Sequence, residues 1–159
     1  MRRDVAVAVL VLVTTIAVFT EVQPILPSNS ENFSELGVLG PSMVIGGYPT
    51  NVTQGSSIHL FAYVGNHEGA VTYYQVEVKL GNLSTRVSNT TAADALEISS
   101  YPLILANNQS STFPVNLGLS TVGTNQRLIF ELWTYDTSDS QFAYSGLWDQ
   151  VWINVTGGP

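Results

Sequence analysis

Ile58-His59-Leu60-Phe61-Ala62-Tyr63-Val64 places an aliphatic side chain at every second position. A helix would repeat its apolar residues every 3.6 positions, whereas a half-buried strand repeats them every two. The same period continues outward in both directions. Tyr74, Val76, Val78 and Leu80 alternate with Gln75, Glu77 and Lys79. Phe113, Val115, Leu117 and Leu119 alternate with Pro114, Asn116 and Gly118. Leu128, Phe130, Leu132 and Thr134 alternate with Ile129, Glu131, Trp133 and Tyr135, and Val151, Ile153 and Val155 with Trp152 and Asn154.

Turn-forming clusters separate these runs: Thr53-Gln54-Gly55-Ser56, Asn66-His67-Glu68-Gly69, Gly81-Asn82, Ala106-Asn107-Asn108-Gln109 and Asp136-Thr137-Ser138-Asp139. Asn66 and Gly69 are expected to shape a hairpin, and Gly55 a turn with positive φ, while Pro49 stiffens the chain before it. With weaker runs at Phe33–Leu39 and Ile98–Leu105, the pattern predicts seven to eight strands within residues 33–156. That count and spacing predict an all-β, Ig-like antiparallel β-sandwich. Ala92–Glu97 is the one helical candidate outside the N-terminal segment.

The N-terminus reads differently. Residues 1–4, Met-Arg-Arg-Asp, precede an uncharged apolar run from Val5 to Thr20, and Glu21 and Pro24 close it. Sixteen helical residues span about 24 Å, short of the roughly 30 Å hydrocarbon core of a bilayer. Residues 5–23 are therefore either a signal peptide or an uncleaved signal-anchor helix, and no A-x-A-like cleavage site decides between them. Arg2 and Arg3 keep the N-terminus in the cytoplasm, so the chain beyond Pro24 is expected on the extracytoplasmic face or cell surface. Residues 24–32 read as an extended spacer and 157–159 as a tail.

The composition excludes several classes. Of 159 residues, 5 are Lys or Arg and 12 are Asp or Glu, a formal charge of −7. Arg2, Arg3, Asp4 and Glu21 cancel, so the whole imbalance belongs to the outer domain. A nucleic-acid partner is not expected, because no basic footprint exists to displace counterions. Cysteine is absent, which removes disulfides and thiolate metal sites. Charged residues reach only 11%, less than half the roughly 25% usual for soluble domains.

Surface hydration must then come from elsewhere, and one motif supplies it. Asn-x-Ser/Thr, the acceptor for N-linked sugar, occurs at Asn32, Asn51, Asn82, Asn89, Asn108 and Asn154. With 11 Asn and 31 Ser or Thr in the chain, chance would place about two such tripeptides. Five fall in predicted loops or strand flanks, and Asn154 alternates away from the Val151/Ile153/Val155 face.

No catalytic, cofactor or metal site is legible. His59 and His67 are the only histidines, and His67-Glu68 lacks the third ligand and the HExxH spacing of zinc sites. Asp136 and Asp139 lack the Gly and Glu of a calcium loop. Glu35, Glu77 and Glu131 lie on separate predicted strands, so spacing pairs no carboxylates. Tyr63, Tyr73, Trp133, Tyr135 and Trp152 occupy outward strand positions. They are read either as cross-strand aromatic pairs or as a protein-contact face.

Three groups of residues carry a resemblance. They are Phe33–Pro41 with Tyr48-Pro-Thr-Asn-Val-Thr-Gln-Gly55 and Val64–Glu68; Gly123–Trp133; and the closing Leu147–Thr156. Together they resemble the extracytoplasmic domain of archaeal membrane proteins in the domain-of-unknown-function family 1616. The resemblance implies an archaeal surface β-domain and brings no catalytic residues. The chain departs from the pattern at Ser42-Met-Val-Ile-Gly-Gly47, which is apolar where a polar turn is expected. Relatives also carry several membrane spans before this domain, where this sequence offers at most one.

These readings converge on a non-enzymatic, membrane-tethered, glycosylated surface module that binds or scaffolds another envelope component. An S-layer protein, an envelope glycan or a filament subunit would serve as partner, and homo-oligomers are admitted. The alternative is a subunit of an extracellular filament or lattice in which Phe33–Leu39 completes a neighbour's sheet. An archaellum-stator-like anchor lies between the two.

Overall fold

The computed structural model describes residues 31–158. The expected segments at 1–4 and 5–23, and most of the 24–32 spacer, lie outside the described residues. Eight strands are arranged in order: β1 (Phe33–Leu39), β2 (Asn51–Thr53), β3 (Ser57–His67), β4 (Thr72–Gly81), β5 (Leu96–Leu105), β6 (Gln109–Gly118), β7 (Gly123–Asp136) and β8 (Gln141–Thr156). They form two sheets, ordered β1-β3-β6 and β2-β8-β7-β4-β5. The described residues are thus all-β and sandwich-like, as the period-2 runs require. No helix among the described residues is long and apolar enough to cross a membrane.

The residues singled out by alternation make the core. Ile58, Leu60, Ala62 and Val64 face Tyr74, Val76 and Val78, with Leu128, Phe130, Leu132, Val151, Ile153 and Val155 completing it. Each fully buried Val, Leu, Ile or Phe contributes about 1.5–3 kcal/mol of apolar transfer. The open sides of the sandwich are closed differently. At one, Tyr101 of β5 packs on Phe113 of β6, ring centroids 5.5 Å apart. At the other, Asp149 Oδ2 accepts from Val38 N (3.1 Å) and Tyr48 Oη donates to Val38 O (2.7 Å). Those two side chains occupy the ladder positions that a further strand beside β1 would take at Val38.

Four expectations change in the folded chain. Ala92–Glu97 is not helical: Leu96 opens β5, and the segment before it has no regular structure and is tied at Ala93 to Lys79 of β4 and Glu131 of β7. Asn66–Gly69 does not turn a hairpin, because β3 and β4 lie in different sheets. It is a corner instead. Buried Asn66 donates to Ala70 O and Leu105 O, each at 2.8 Å, and accepts from Glu68 N at 2.9 Å. Gly69 supplies φ +79°. The pairing is not wholly antiparallel, since β2 runs parallel to the end of β8. Finally, β1 pairs with β3 of its own domain along its full length. The strand-exchange reading thereby loses the unpaired strand that motivated it.

The ladder places Asn32, the 68–71 corner, the β5–β6 turn and the β7–β8 hairpin at one end of the sandwich. The other end carries residues 40–50, the segment 82–95 and Thr156. There Met43, Val44 and Ile45, within the apolar departure at 42–47, stand exposed.

Candidate functional site

The outward positions of β4, β7 and β8 form a continuous face of unusual chemistry. Tyr73, Gln75, Glu77 and Lys79 come from β4, and Ile129, Glu131, Trp133 and Tyr135 from β7. The paired β8 positions are Phe142, Tyr144, Trp148, Gln150 and Trp152. A face turned away from the core should be wet, yet Ile129 and Glu131 are fully buried. The 82–95 segment lies across them.

Its anchors are specific. Ala93 N donates to Glu131 Oε1, and Lys79 Nζ donates to Ala93 O at 3.4 Å. Arg127 Nη1 donates to Thr85 O at 2.6 Å, and Tyr144 Oη to Ser88 O at 2.8 Å. Gly146 (φ +85°) sits at a break in the β7–β8 register with its α-carbon against Asn89 O, where no β-carbon fits. Residues 82–95 are therefore a strap across the sheet.

Beneath the strap, Glu77 and Glu131 are direct cross-strand partners. Like charges so placed repel. The Lys79 ammonium resolves this, 3.2 Å from Glu77 and 2.8 Å from Glu131, and lies over the Trp133 ring at 5.1 Å. Burial pulls the Lys79 ammonium down, but the two carboxylates outweigh it and leave the group above its usual value. Burial first and the Glu131 charge second push the Tyr144 phenol up to about 12. Trp133 Nε1 is buried and finds no acceptor among the described residues.

Towards the Asn32 end the face is uncovered. Tyr73, Tyr135 and Phe142 pack mutually, with centroids 5.0–5.7 Å apart. Val71 and Ile104 beside them are 69% and 66% exposed. Glu68, Val71, Tyr73, Ile104, Tyr135 and Ser145 are among the walls of an open groove of about 640 Å³. At the β8 edge, Arg127 stacks on Trp152 at 5.1 Å, its guanidinium bonded to Gln150 Oε1.

Four of the five aromatic residues marked in the sequence therefore share this face: Tyr73, Trp133, Tyr135 and Trp152. Tyr63 does not. It stands on β3 in the other sheet and donates to Glu35 Oε2 at 2.7 Å, a bond that, with burial, raises its pKa. His67 Nε2 lies 3.6 Å from the same carboxylate oxygen, and Phe33 stacks on the imidazole. Glu68, next in sequence, turns away to accept from Ser34 Oγ at 2.6 Å. Asp136 Oδ1 accepts from the Ser138 hydroxyl and amide, which hold its pKa low in the β7–β8 turn.

Asn32, Asn51, Asn82, Asn89 and Asn108 are exposed, and Asn154 is half-buried. Sequence reasoning missed Glu131, Lys79, Arg127 and the strap. The one available signal was a Glu and a Lys on the outer register of strands otherwise poor in charge.

The family model described as Domain of unknown function (DUF1616) matches residues 27–154. The sequence matches no curated protein. Among solved structures, a β-glucosidase from Listeria innocua in complex with glucose is 13% identical over 80% of this chain (TM-score 0.47). This chain spans 16% of that enzyme's length. The CARDB domain of a Pyrococcus furiosus protein, solved with di-metal ions, is 9% identical, with 79% of this chain and 89% of that one covered (TM-score 0.49). The soluble domain of PmoD from Methylocystis is 14% identical over 79% and 94% of the two chains (TM-score 0.43).

Proposed function

The chain belongs to the DUF1616 family, and on that premise we propose that it is a non-enzymatic, membrane-tethered, glycosylated module of an archaeal cell surface that binds another envelope protein. The observation that carries the reading is the uncovered end of the aromatic face. Exposed Val71, Tyr73 and Ile104, with half-buried Tyr135 and Phe142 packed between them, make a contiguous apolar surface on a face whose Ile129–Glu131 portion is covered by the strap. Aromatic clusters flanked by aliphatic residues and poor in charge are the composition of interface centres.

Affinity capture with the full chain from its own membranes tests this. Val71→Asp and Ile104→Asp should each abolish capture of the envelope protein retained by wild type. Leu83→Asp, an equally exposed position at the opposite end of the sandwich, should not. Equal capture by all four chains would refute the reading. Peptide mass spectrometry of the same material tests glycosylation directly, with bare Asn at most of the six positions as the contrary result.

A further inference from the structure

The six acceptor tripeptides are not equivalent in their surroundings. Two positions before each Asn stand Ser30, Pro49, Leu80, Val87, Ala106 and Trp152. Only Asn154 is preceded at that spacing by an aromatic residue, and only Asn154 lies within a long strand. On β8, Trp152, Asn154 and Thr156 alternate with buried Val151, Ile153 and Val155, so all three share the outer face. Residues two apart on one face of a strand are about 6.6 Å apart, close to the width of one pyranose ring.

Both side chains are held in place. Asn154 Oδ1 accepts from Asn125 N at 2.9 Å, and Asn154 Nδ2 donates one hydrogen to Asn51 Oδ1 at 3.0 Å. The second Nδ2 hydrogen has no protein acceptor among the described residues. Trp152 is packed on one side by the Arg127 guanidinium and keeps 38% of its surface open. Sugar rings carry apolar C–H faces that stack on indole, as other apolar groups do.

Resting on the glycoprotein reading above, we infer that Asn154 is an N-glycosylation site whose first sugar stacks on the indole of Trp152. The sugar is delivered from a donor activated through a phosphate at C1. Nδ2 forms a bond to C1, the C1–O bond to phosphate breaks, phosphate leaves with the electron pair, and the second Nδ2 proton is taken up by the departing phosphate. The remaining N–H keeps its bond to Asn51, which acts as a positioning residue and fixes the plane of the carboxamide. The modified carboxamide stands beside the ring with which the sugar stacks.

The test uses the full chain purified from the cells that make it, as wild type, Thr156→Val, Trp152→Phe and Trp152→Ala. Thr156→Val keeps Asn154 but destroys its acceptor motif, so sugars elsewhere cancel in the comparison. Peptide mass spectrometry should find sugar at Asn154. Stacking of one ring should add about 2–5 °C to the melting difference between wild type and Thr156→Val, beyond the loss of the Thr156 Oγ1 bond to Val52 O (3.2 Å). The same Thr156→Val comparison should keep most of the stacking contribution in the Trp152→Phe background and fall in Trp152→Ala to what the lost Thr156 Oγ1–Val52 O bond alone costs. Sugar at other sites with Asn154 bare would overturn this inference and leave the glycoprotein reading intact. Bare Asn at all six would overturn both. A melting difference that Trp152→Ala leaves undiminished would overturn the stacking.

Discussion

Replacing Lys79 by Met removes the cation that lies between the two carboxylates beneath the strap while preserving the length of the side chain. In the native domain its ammonium lies 2.8 Å from fully buried Glu131 and 3.2 Å from Glu77, two carboxylates paired directly across β4 and β7. Without it, Glu131 retains only the Ala93 amide, and the two negative charges face each other unscreened. Breaking a buried pair by removing one partner costs about 3–5 kcal/mol, because the other charge stays desolvated. Unfolding entropy for a domain of about 130 residues is ~0.27 kcal/mol per degree, so about 4 kcal/mol lowers Tm by ~15 °C. Adding Glu131→Gln removes the orphaned charge and leaves Ala93 N an acceptor. The double variant should therefore regain at least 2 kcal/mol over the sum of the single losses. Urea unfolding followed by tryptophan fluorescence reads both quantities, with Trp133 as a reporter against Lys79. A Lys79→Met loss below about 1 kcal/mol, or simple additivity in the double variant, would refute the claim that the strap is held by an obligatory ion cluster.

Gly146→Ala should cost about 1–3 kcal/mol, from a strained φ and a methyl driven into Asn89 O, and should raise amide exchange at Ser88–Ala93 without affecting β3. Asn66→Ala strands the Glu68 amide and two carbonyls at the inter-sheet corner and should destabilise by about 2–4 kcal/mol in chemical unfolding. Stability should be full below pH 10 and fall towards pH 12. Lys79 and Tyr144 both have folded-state pKa values above their unfolded ones, so each contribution is lost as pH rises through the folded value. Tyr144→Phe should flatten that decline in pH-dependent melts. At the acid end, the proposed glycoprotein, hydrated by Ser, Thr, Asn and sugar, should stay soluble near pH 3, and light scattering would expose a failure.

Alternation sets the limit of how much of this fold and face was legible in the chain. Period 2 says which residues share a face, and Ile58, Leu60, Ala62 and Val64 were recognisable as core because that face must be dry in any pairing. It also identified the outward set on β7. It could not say that Ile129 and Glu131 would be covered, because residues 82–95 form no repeating structure and leave no period to read. Neither does a local pattern specify strand order. Asn66–Gly69 has the residues of a tight turn, and only the partition of β3 and β4 into opposite sheets makes it a corner. The same partition separates Tyr63 from Tyr73, Trp133, Tyr135 and Trp152.

Local sequence is enough to specify the all-β class of residues 33–156, the inward half of each long strand, the sparse charge and the six acceptor tripeptides. Each depends on residue identity and near neighbours, which act over a few positions along the chain. Long-range packing is what brings two Glu and one Lys together under a strap, holds Asn154 against Asn51 more than a hundred residues away, and pairs β1 with β3 in its own sheet. Those contacts join segments distant in sequence, and their stability depends on burial that no single segment can achieve alone.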